Sequence, residues 1–199
     1  MSPYIESIKI VNGKALRLSH HQARFNRTRK EVLGLTSHPE LSSEIVVPDS
    51  AKQGIYKCRI LYGRDLTQVE FLPYHKPKIH SLKLVKSDSI SYEYKSADRA
   101  DLATLYEQRD SCDDILIVKK GWITDSYFAN VVLWDGSKWE TPKKPLLKGC
   151  MRFSLLASGR INERSIRIEE LSRYKCIRLI NAMNDISDRL ELPVKAIHY

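Results

Sequence analysis

The sequence predicts an α+β protein made of two domains, and three observations support this. Segments of alternating apolar and polar residues, such as residues 5–11 and 55–62, indicate β-strands that bury one face. A stretch with helical periodicity follows Ser19, between those strands. Residues 74–78 form a polar, proline-containing segment typical of a linker, which divides the chain into domains at 1–76 and 77–199.

Local signals define the N-terminal elements. Asn12-Gly13 is a hairpin-turn signal that leads from the first strand into a second at residues 15–18. Ser19 and Gln22 have the spacing of a capping box at the start of a helix, and Gly34 suits its end. We expect this helix to bury its apolar side chains and to direct its basic residues largely outward, namely Arg24, Arg27, Arg29 and Lys30.

The remaining elements follow in order. A loop with a short helix at 36–53 and strands at 55–62 and 67–72 complete the first domain. The second domain contains a helix around Leu102 and Leu105, a helix after Gly149, and strands at 81–85, 114–118, 131–134, 138–141, 165–168 and 176–180. Asp135-Gly136 predicts a hairpin between two of these strands.

The amino-acid composition limits the classes of protein to which the chain can belong. With 42% hydrophobic and 29% charged residues in 199, the chain is typical of soluble globular proteins. No apolar run reaches the ~20 residues that span a bilayer, and the N-terminus lacks signal-peptide features, so we expect a cytoplasmic protein without membrane contact. The four cysteines and six histidines lack metal-binding spacing, and no metal site is expected.

The net charge of +9 raises the possibility of nucleic-acid binding. The positive charges are scattered among acidic residues, so we expect no nucleic-acid partner. A basic surface of this kind suits anionic small molecules.

Residues 121–130 are the most informative segment, because they place a carboxylate, Asp125, and an amide, Asn130, in a turn region between two strands. Two interpretations of Asp125 are open. It is a solvated turn residue, which is common for aspartate in turns, or it faces a cationic group on a bound cofactor.

Several segments resemble motifs of the class IV aminotransferase family. The matching motifs are "F-E-T-I-R" at residues 5–9, "H-x-x-R-[LM]" at 21–25, "K-x-x-N-R" at 95–99, "G-x-[IV]-T-E … N" at 121–130, "L-x-G-[IV]-x-R" at 146–152 and "N-A-x-x-x-[IV] … P-V" at 181–194. The resemblance implies a two-domain fold type IV pyridoxal-phosphate enzyme similar to D-amino acid aminotransferase. It also implies a site in the cleft between the domains, a homodimer and an amino acid-like substrate.

The resemblance also implies roles for individual residues. Lys95 would bind the cofactor, pyridoxal 5′-phosphate, covalently and transfer the proton at the substrate's α-carbon, as a partly neutral primary amine can do. Asp125 would keep the ring nitrogen protonated. The phosphate would be held by the Arg24 guanidinium, by backbone N–H groups at a helix start, and by a turn near the C-terminus. The helix start comprises Gly149, Cys150 and Met151, and the turn contains Asn181.

The chain departs from the family pattern in two places that matter. Asp125 stands where glutamate is usual, so its backbone lies closer to the ring, a water bridges the gap, or the contact is weaker. The upstream residues of the family that end in a Tyr-Gly segment have no counterpart, which gives a shortened N-terminus.

Three functions follow from these motifs and departures. Within the family, residues 121–124 and 181–183 are most similar to 4-amino-4-deoxychorismate lyase, which forms 4-aminobenzoate and pyruvate for folate biosynthesis. The alternatives are a branched-chain or D-amino acid aminotransferase, and a non-catalytic basic binding protein on this fold.

Overall fold

The structure is a computed structural model that describes residues 3–37 and 39–199. The described residues form two compact units. One contains the residues up to Lys76 together with Tyr94–Asp98, and the other contains Pro77–Glu93 and Arg99–Tyr199. Residues 94–98, which follow the predicted boundary at 76/77 in sequence, group with the first unit.

The first unit is an antiparallel sheet with one long helix. Its elements are β1 (Tyr4–Val11), β2 (Lys14–Ala15), α1 (Leu18–Leu33), α2 (Leu41–Glu44), β3 (Ile55–Tyr62) and β4 (Leu66–Pro73), with a 3-10 turn at Asp49–Ala51. The strand order is β2-β1-β3-β4. Alternation along the strands directs Ile8, Ile10, Cys58 and Ile60 to one face, where they pack with Phe25 of α1.

Helix α1 corrects two predictions. It begins at Leu18 without a side-chain cap, because Arg17 precedes it in a left-handed conformation (φ 54°), so the predicted capping box is wrong. Gln22 instead donates to the Pro39 carbonyl and accepts from the Leu41 N–H. The predicted outward direction is wrong for Arg24 and Arg29, which are buried. The predicted end at Gly34 is confirmed by its left-handed cap (φ 67°).

The second unit is a mixed sheet with helices. Its strands are β5 (Leu82–Lys86), β6 (Asp114–Lys119), β7 (Trp122–Ser126), β8 (Asn130–Trp134), β9 (Trp139–Pro142), β10 (Asn162–Arg164), β11 (Cys176–Ile180), β12 (Glu191–Pro193) and β13 (Ile197–His198). Its α-helices are α3 (Ala100–Tyr106) and α4 (Cys150–Ala157), with 3-10 turns at Glu107–Arg109, Ile168–Arg173, Ile186–Asp188 and Val194–Ala196. The order β10-β9-β8-β7-β6-β5-β13 is extended by β11 and β12, with β11 pairing with β8. The α+β class is therefore confirmed.

The structure of residues 121–130 differs from the sequence prediction. Asp125 lies inside β7, not in a turn, and the turn is confined to residues 127–129. The predicted strand at 165–168 is also wrong, because β10 ends at Arg164 and a 3-10 turn begins at Ile168. Among the helices in the described part of the chain, none is both long and apolar enough to cross a membrane.

Candidate active site

Two neighbouring strands present the carboxylate and the amide side by side. Asp125 of β7 is directly opposite Asn130 of β8 in the antiparallel register. A tight turn joins them, in which the Ser126 N–H donates to the Ala129 carbonyl and the Ala129 N–H donates to Ser126 Oγ. Since opposite residues of a strand pair share a face, the turn fixes both side chains on the same side of the sheet.

Asp125 is a buried acid held by neutral donors. It is only 5% exposed. Asn130 Nδ2 donates to Oδ1 over 2.7 Å, and the Leu147 N–H donates to Oδ2 over 3.0 Å. Burial raises the pKa of Asp125 to about 6, although these hydrogen bonds and the positive charge of Arg152 oppose the shift. The solvated-turn interpretation of Asp125 is therefore wrong.

Asn130 explains why residue 149 is a glycine. Its Nδ2 group also donates to the Leu147 carbonyl over 2.7 Å, which leaves Oδ1 directed toward Gly149. A Cβ atom at residue 149 would lie 2.1 Å from that oxygen. The backbone of Gly149 is ordinary (φ −73°), so the glycine is needed for space and not for backbone conformation.

Helix α4 begins immediately after this contact. Gly149 is its N-cap, and Cys150 and Met151 are its first two residues. The Gly149 carbonyl accepts the first helical bond, from the Phe153 N–H. In any α-helix, the N–H groups of the first turn make no hydrogen bond to the helix's own carbonyls. Together with the helix dipole, they favour an anion at the N-terminal end of the helix. The side chain of Met151 packs in an apolar cluster, so only its backbone suits this role.

Asn181 follows the end of β11, whose last residue, Ile180, is opposite Asn130 in the β8 register. Its Oδ1 accepts from the N–H groups of Met183 and Asn184, which shapes a turn. Its Nδ2 donates to the Phe128 carbonyl, in the turn between β7 and β8, over 3.4 Å. Asn181 thus contacts the same corner of the second unit as Asp125.

Arg24 of the first unit is bound to a buried carboxylate. Its Nε and one terminal nitrogen donate to the two oxygens of Glu6 over 2.9 and 2.6 Å, and His21 Nδ1 donates to the second oxygen over 2.6 Å. Burial alone would raise the pKa of Glu6, but the charge and hydrogen bonds of Arg24, joined by His21, lower it to about 2. Burial lowers the pKa of His21, and the charges of Arg24 and Lys95 add to this effect against the opposing Glu6.

Main-chain bonds attach the segment of Lys95 to β1. The Lys95 carbonyl accepts from the Ile5 N–H over 2.9 Å, and the Ala97 N–H donates to the Pro3 carbonyl over 2.8 Å. Lys95 itself is half-buried. These bonds fix the two peptide groups that follow the Cα atom of Lys95.

The neighbouring residue, Tyr94, is attached to helix α1. Its hydroxyl donates to Glu31 over 3.0 Å, and Arg27 lies 5.3 Å above its ring. The segment of Lys95 is thus held by β1 and by α1, both of which belong to the first unit.

The structure therefore groups the predicted residues into two sets. In the second unit it brings together Asp125, Gly149, Cys150 and Met151, with Asn181 at the adjoining turn. Arg24 and Lys95 belong to the first unit, and their convergence with Asp125 on one cofactor stays a prediction.

Sequence reasoning gave no role to two residues at these sites. The sequence identifies Asn130 as an amide near Asp125 but assigns it no function, although it links Asp125 to the residues before α4. Glu6 lies within the first motif, residues 5–9, which assigns it no function. The sequence does indicate that Glu6 is unusual, because it is a charged residue on the inward face of β1, between Tyr4 and Ile8.

The buried acid and the helix start after Gly149 thus lie on an α+β fold. The sequence of the chain also matches a family model over nearly its whole length. Residues 4–197 match the model of amino-transferase class IV. The chain belongs to the class IV aminotransferase family, whose members use pyridoxal 5′-phosphate.

Three relatives illustrate the similarity. An uncharacterized protein of Haemophilus influenzae is 36% identical over 188 residues, which cover 94% of this chain and 100% of the relative. The crystal structure of a candidate 4-amino-4-deoxychorismate lyase from Haemophilus somnus 129pt is 34% identical, with a TM-score of 0.87 over 94% of this chain and 98% of that chain. A hypothetical aminotransferase from Mycobacterium tuberculosis, in its PLP-bound form, is 17% identical, with a TM-score of 0.74 over 92% of this chain and 78% of that one. This last similarity concerns the fold alone.

The residues of the second unit fit the cofactor. Asp125 is a buried carboxylate with no cationic hydrogen-bond partner among the bonds described above, and a protonated ring nitrogen would stabilise its charged form. The helix start after Gly149 offers N–H donors for a phosphate group. These groups are thus chemically suited to both ends of pyridoxal phosphate, with an acceptor for the protonated ring nitrogen and donors for the phosphate.

Proposed function

We propose that this chain is a pyridoxal-phosphate-dependent lyase that converts 4-amino-4-deoxychorismate into 4-aminobenzoate and pyruvate. The observation that carries the proposal is the contact of buried Asp125 with Asn130 and Leu147, next to the start of α4. The similarity to the Haemophilus somnus protein supports the choice of reaction.

Each residue has a defined role in this proposal. The backbone N–H groups after Gly149 would hold the cofactor phosphate, together with Arg24 and Asn181. Asp125 would accept a hydrogen bond from the protonated ring nitrogen. When bound, the cofactor supplies a conjugated ring that withdraws electrons from the carbon bearing the substrate's amino group.

Lys95 would move the proton. Its amine would take the proton from the amine-bearing carbon and return one to the methylene carbon of the departing enolpyruvyl group. The C–O bond breaks, pyruvate leaves and the ring becomes aromatic, so no acceptor keto acid is consumed. His21, with its pKa lowered, would add little positive charge beside an amine that must act partly neutral.

Arg24 needs a fixed orientation to bind phosphate. Glu6 holds two of its three guanidinium nitrogens, so the planar group cannot rotate. A phosphate contact in this proposal is therefore made by a preoriented arginine. Glu6 would act through Arg24 and would not touch the cofactor.

A substrate assay tests the proposal. The protein loaded with pyridoxal phosphate is given 4-amino-4-deoxychorismate, and 4-aminobenzoate and pyruvate are measured with and without 2-oxoglutarate. Release of both products in equal amounts without keto acid is expected. Strict dependence on the keto acid would instead favour an aminotransferase for branched-chain or D-amino acids, a reaction found in the same family.

Two variants sharpen this assay. Lys95→Ala should abolish both product formation and the visible absorbance of lysine-bound cofactor. Lys30→Ala, which removes an exposed lysine of α1, is the matched control and should change neither. Colourless wild-type protein that takes up no cofactor but binds DNA in a salt-sensitive manner would support the non-catalytic alternative.

The remaining expectations belong to the same proposal. We propose a homodimeric, cytoplasmic enzyme with a small amino acid-like substrate and with domains at 1–76 and 77–199. Sedimentation equilibrium tests the dimer. Limited proteolysis, with cleavage expected first at residues 74–78, tests the domain division.

A further inference from the structure

Asn130 forms a closed ring of hydrogen bonds with Asp125 and Leu147. Its side chain donates to Asp125 and to the Leu147 carbonyl, both over 2.7 Å, and the Leu147 N–H donates back to Asp125 over 3.0 Å. Asn130 is buried. Because both of its N–H bonds go to acceptors, the orientation of the amide is fixed, with Oδ1 facing Gly149.

This ring joins two parts of the candidate site that are distant in sequence. Asp125 is the acid for the cofactor ring, and residues 147–149 lead directly into α4, where the phosphate would bind. The contact of Asn130 Oδ1 with Gly149 sets how closely that segment approaches β8. A shift of Asn130 must therefore displace the acid and the helix start together.

We infer that Asn130 is a positioning residue that couples the ring-binding acid Asp125 to the phosphate-binding start of helix α4. This inference rests on the proposed function for its ligands. It adds that the groups that bind the ring nitrogen and the groups that bind the phosphate are held in one fixed arrangement by Asn130. Asn130 itself would not contact the atoms that react.

Two partial ligands separate the two ends. Pyridoxine has the ring nitrogen but neither phosphate nor aldehyde, and inorganic phosphate represents the other end. Calorimetry of the cofactor-free protein gives the dissociation constant for each. Asn130→Ala should weaken both by about tenfold, because it removes a buried donor from each part of the ring of hydrogen bonds. Weakening of only one ligand, or of neither, would overturn the coupling.

Two control variants give this result its meaning. Thr124→Val removes another buried hydrogen bond of β7, to the Ile117 carbonyl, from a side chain on the opposite face of the strand. It should lower stability without changing either dissociation constant. Asp125→Asn removes the negative charge, and because an amide offers one acceptor oxygen for the two N–H donors of Asn130 and Leu147, it also breaks one bond of the ring. It should therefore weaken pyridoxine more than phosphate.

A second measurement uses the cofactor-free protein alone. Gly149→Ala should be strongly destabilising in the wild-type background, because its Cβ would lie 2.1 Å from Asn130 Oδ1. In the Asn130→Ala background the added methyl group has room, so the same change should cost much less. Additive effects in this double-mutant cycle contradict the inference.

The outcomes distinguish the inference from the proposed function. If the wild-type protein takes up no pyridoxal phosphate and forms no product, the proposed function fails, and the double-mutant cycle alone decides whether residues 130 and 149 are coupled. If it binds both and acts as a lyase, but Asn130→Ala retains both affinities, only the inference fails. Should Asn130→Ala not fold, Asn130→Ser keeps one hydroxyl donor where the amide has two N–H groups, so it should also weaken both ligands, and unchanged affinities in that variant would overturn the inference.

Discussion

Arg24 and Glu6 form a two-point ion pair in which both side chains are buried, with N–O distances of 2.9 and 2.6 Å. The pair joins helix α1 to strand β1. A buried carboxylate requires such partners, because an unpaired charge in the interior is costly.

Loss of the Glu6 charge should strongly destabilise the protein. Glu6→Gln keeps the shape of the side chain but leaves Arg24 without its anion, so we expect a loss of about 3–5 kcal/mol in the free energy of unfolding. Urea denaturation measures it. The control is Glu70→Gln at the half-exposed Arg59–Glu70 pair, where a change below about 1 kcal/mol is expected. Equal effects at both pairs would contradict the prediction.

The stability of the cofactor-free protein should depend on pH with two opposite slopes. The pKa of Asp125 is raised from 3.8 to about 6, so the folded state binds more protons in that interval, and stability should rise as the pH falls from about 6 to about 4. The pKa of Glu6 is lowered from 4.5 to about 2, so its contribution is lost as the pH falls below about 4.5.

Asp114 adds to the first slope, because burial raises its pKa to about 6 as well. Urea unfolding between pH 3 and pH 7 tests both slopes. Asp125→Asn should flatten the slope above pH 4 in part, and Glu6→Gln should flatten the slope below it. His21, whose pKa is lowered, opposes the first slope. The decisive comparison is therefore between variants, and an Asp125→Asn protein with the same pH dependence as the wild type from pH 4 to pH 6 would disprove the first assignment.

Much of the fold could be predicted from local patterns, and much of the site could not. The alternation of residues 55–62 and 176–180 sets strands β3 and β11, since the side-chain period of a strand is two. The same use of periodicity gave a wrong prediction for Arg24 and Arg29 of α1, which are buried. Helical periodicity treats a charge as solvent-exposed, whereas Glu6 and the carbonyls of Gly63 and Arg64 supply internal partners.

The site itself depends on contacts between distant parts of the chain. Asp125 was expected in a turn because aspartate favours turns, but pairing with β8 extends the strand through Ser126. The need for glycine at 149 arises from Asn130, which lies 19 positions earlier, and no local pattern reveals it. Family motifs identified these residues without indicating how they touch.

Lengthening Asp125 should weaken the site, although glutamate is usual in the family. The carboxylate of Asp125 already reaches Asn130 and Leu147, so the extra methylene of Asp125→Glu must displace one of them. We expect a stability loss of about 1–3 kcal/mol and weaker binding of pyridoxine. Asp101→Glu, on the exposed side of α3, is the control and should be neutral. Tighter pyridoxine binding by Asp125→Glu would refute this.

Arg99 should stabilise the turn between β7 and β8. Its guanidinium lies 4.1 Å above the ring of Tyr127 and donates to the Tyr127 carbonyl. Arg99→Ala should therefore increase amide hydrogen exchange at Ser126 and Ala129. Arg27→Ala removes a cation–π contact of the first unit instead, 5.3 Å above the ring of Tyr94. It should leave those amides unchanged, and faster exchange in this variant instead would argue against the role of Arg99.

The backbone bonds from Ile5 to Lys95 and from Ala97 to Pro3 have a practical consequence for chemistry at position 95. The anchor consists of peptide groups, so it does not depend on which side chain residue 95 carries. A cysteine installed there and alkylated with bromoethylamine would regain an amine of altered basicity on an unchanged main chain. A series of such reagents would turn residue 95 into a position where proton affinity can be varied stepwise while the surrounding protein stays constant.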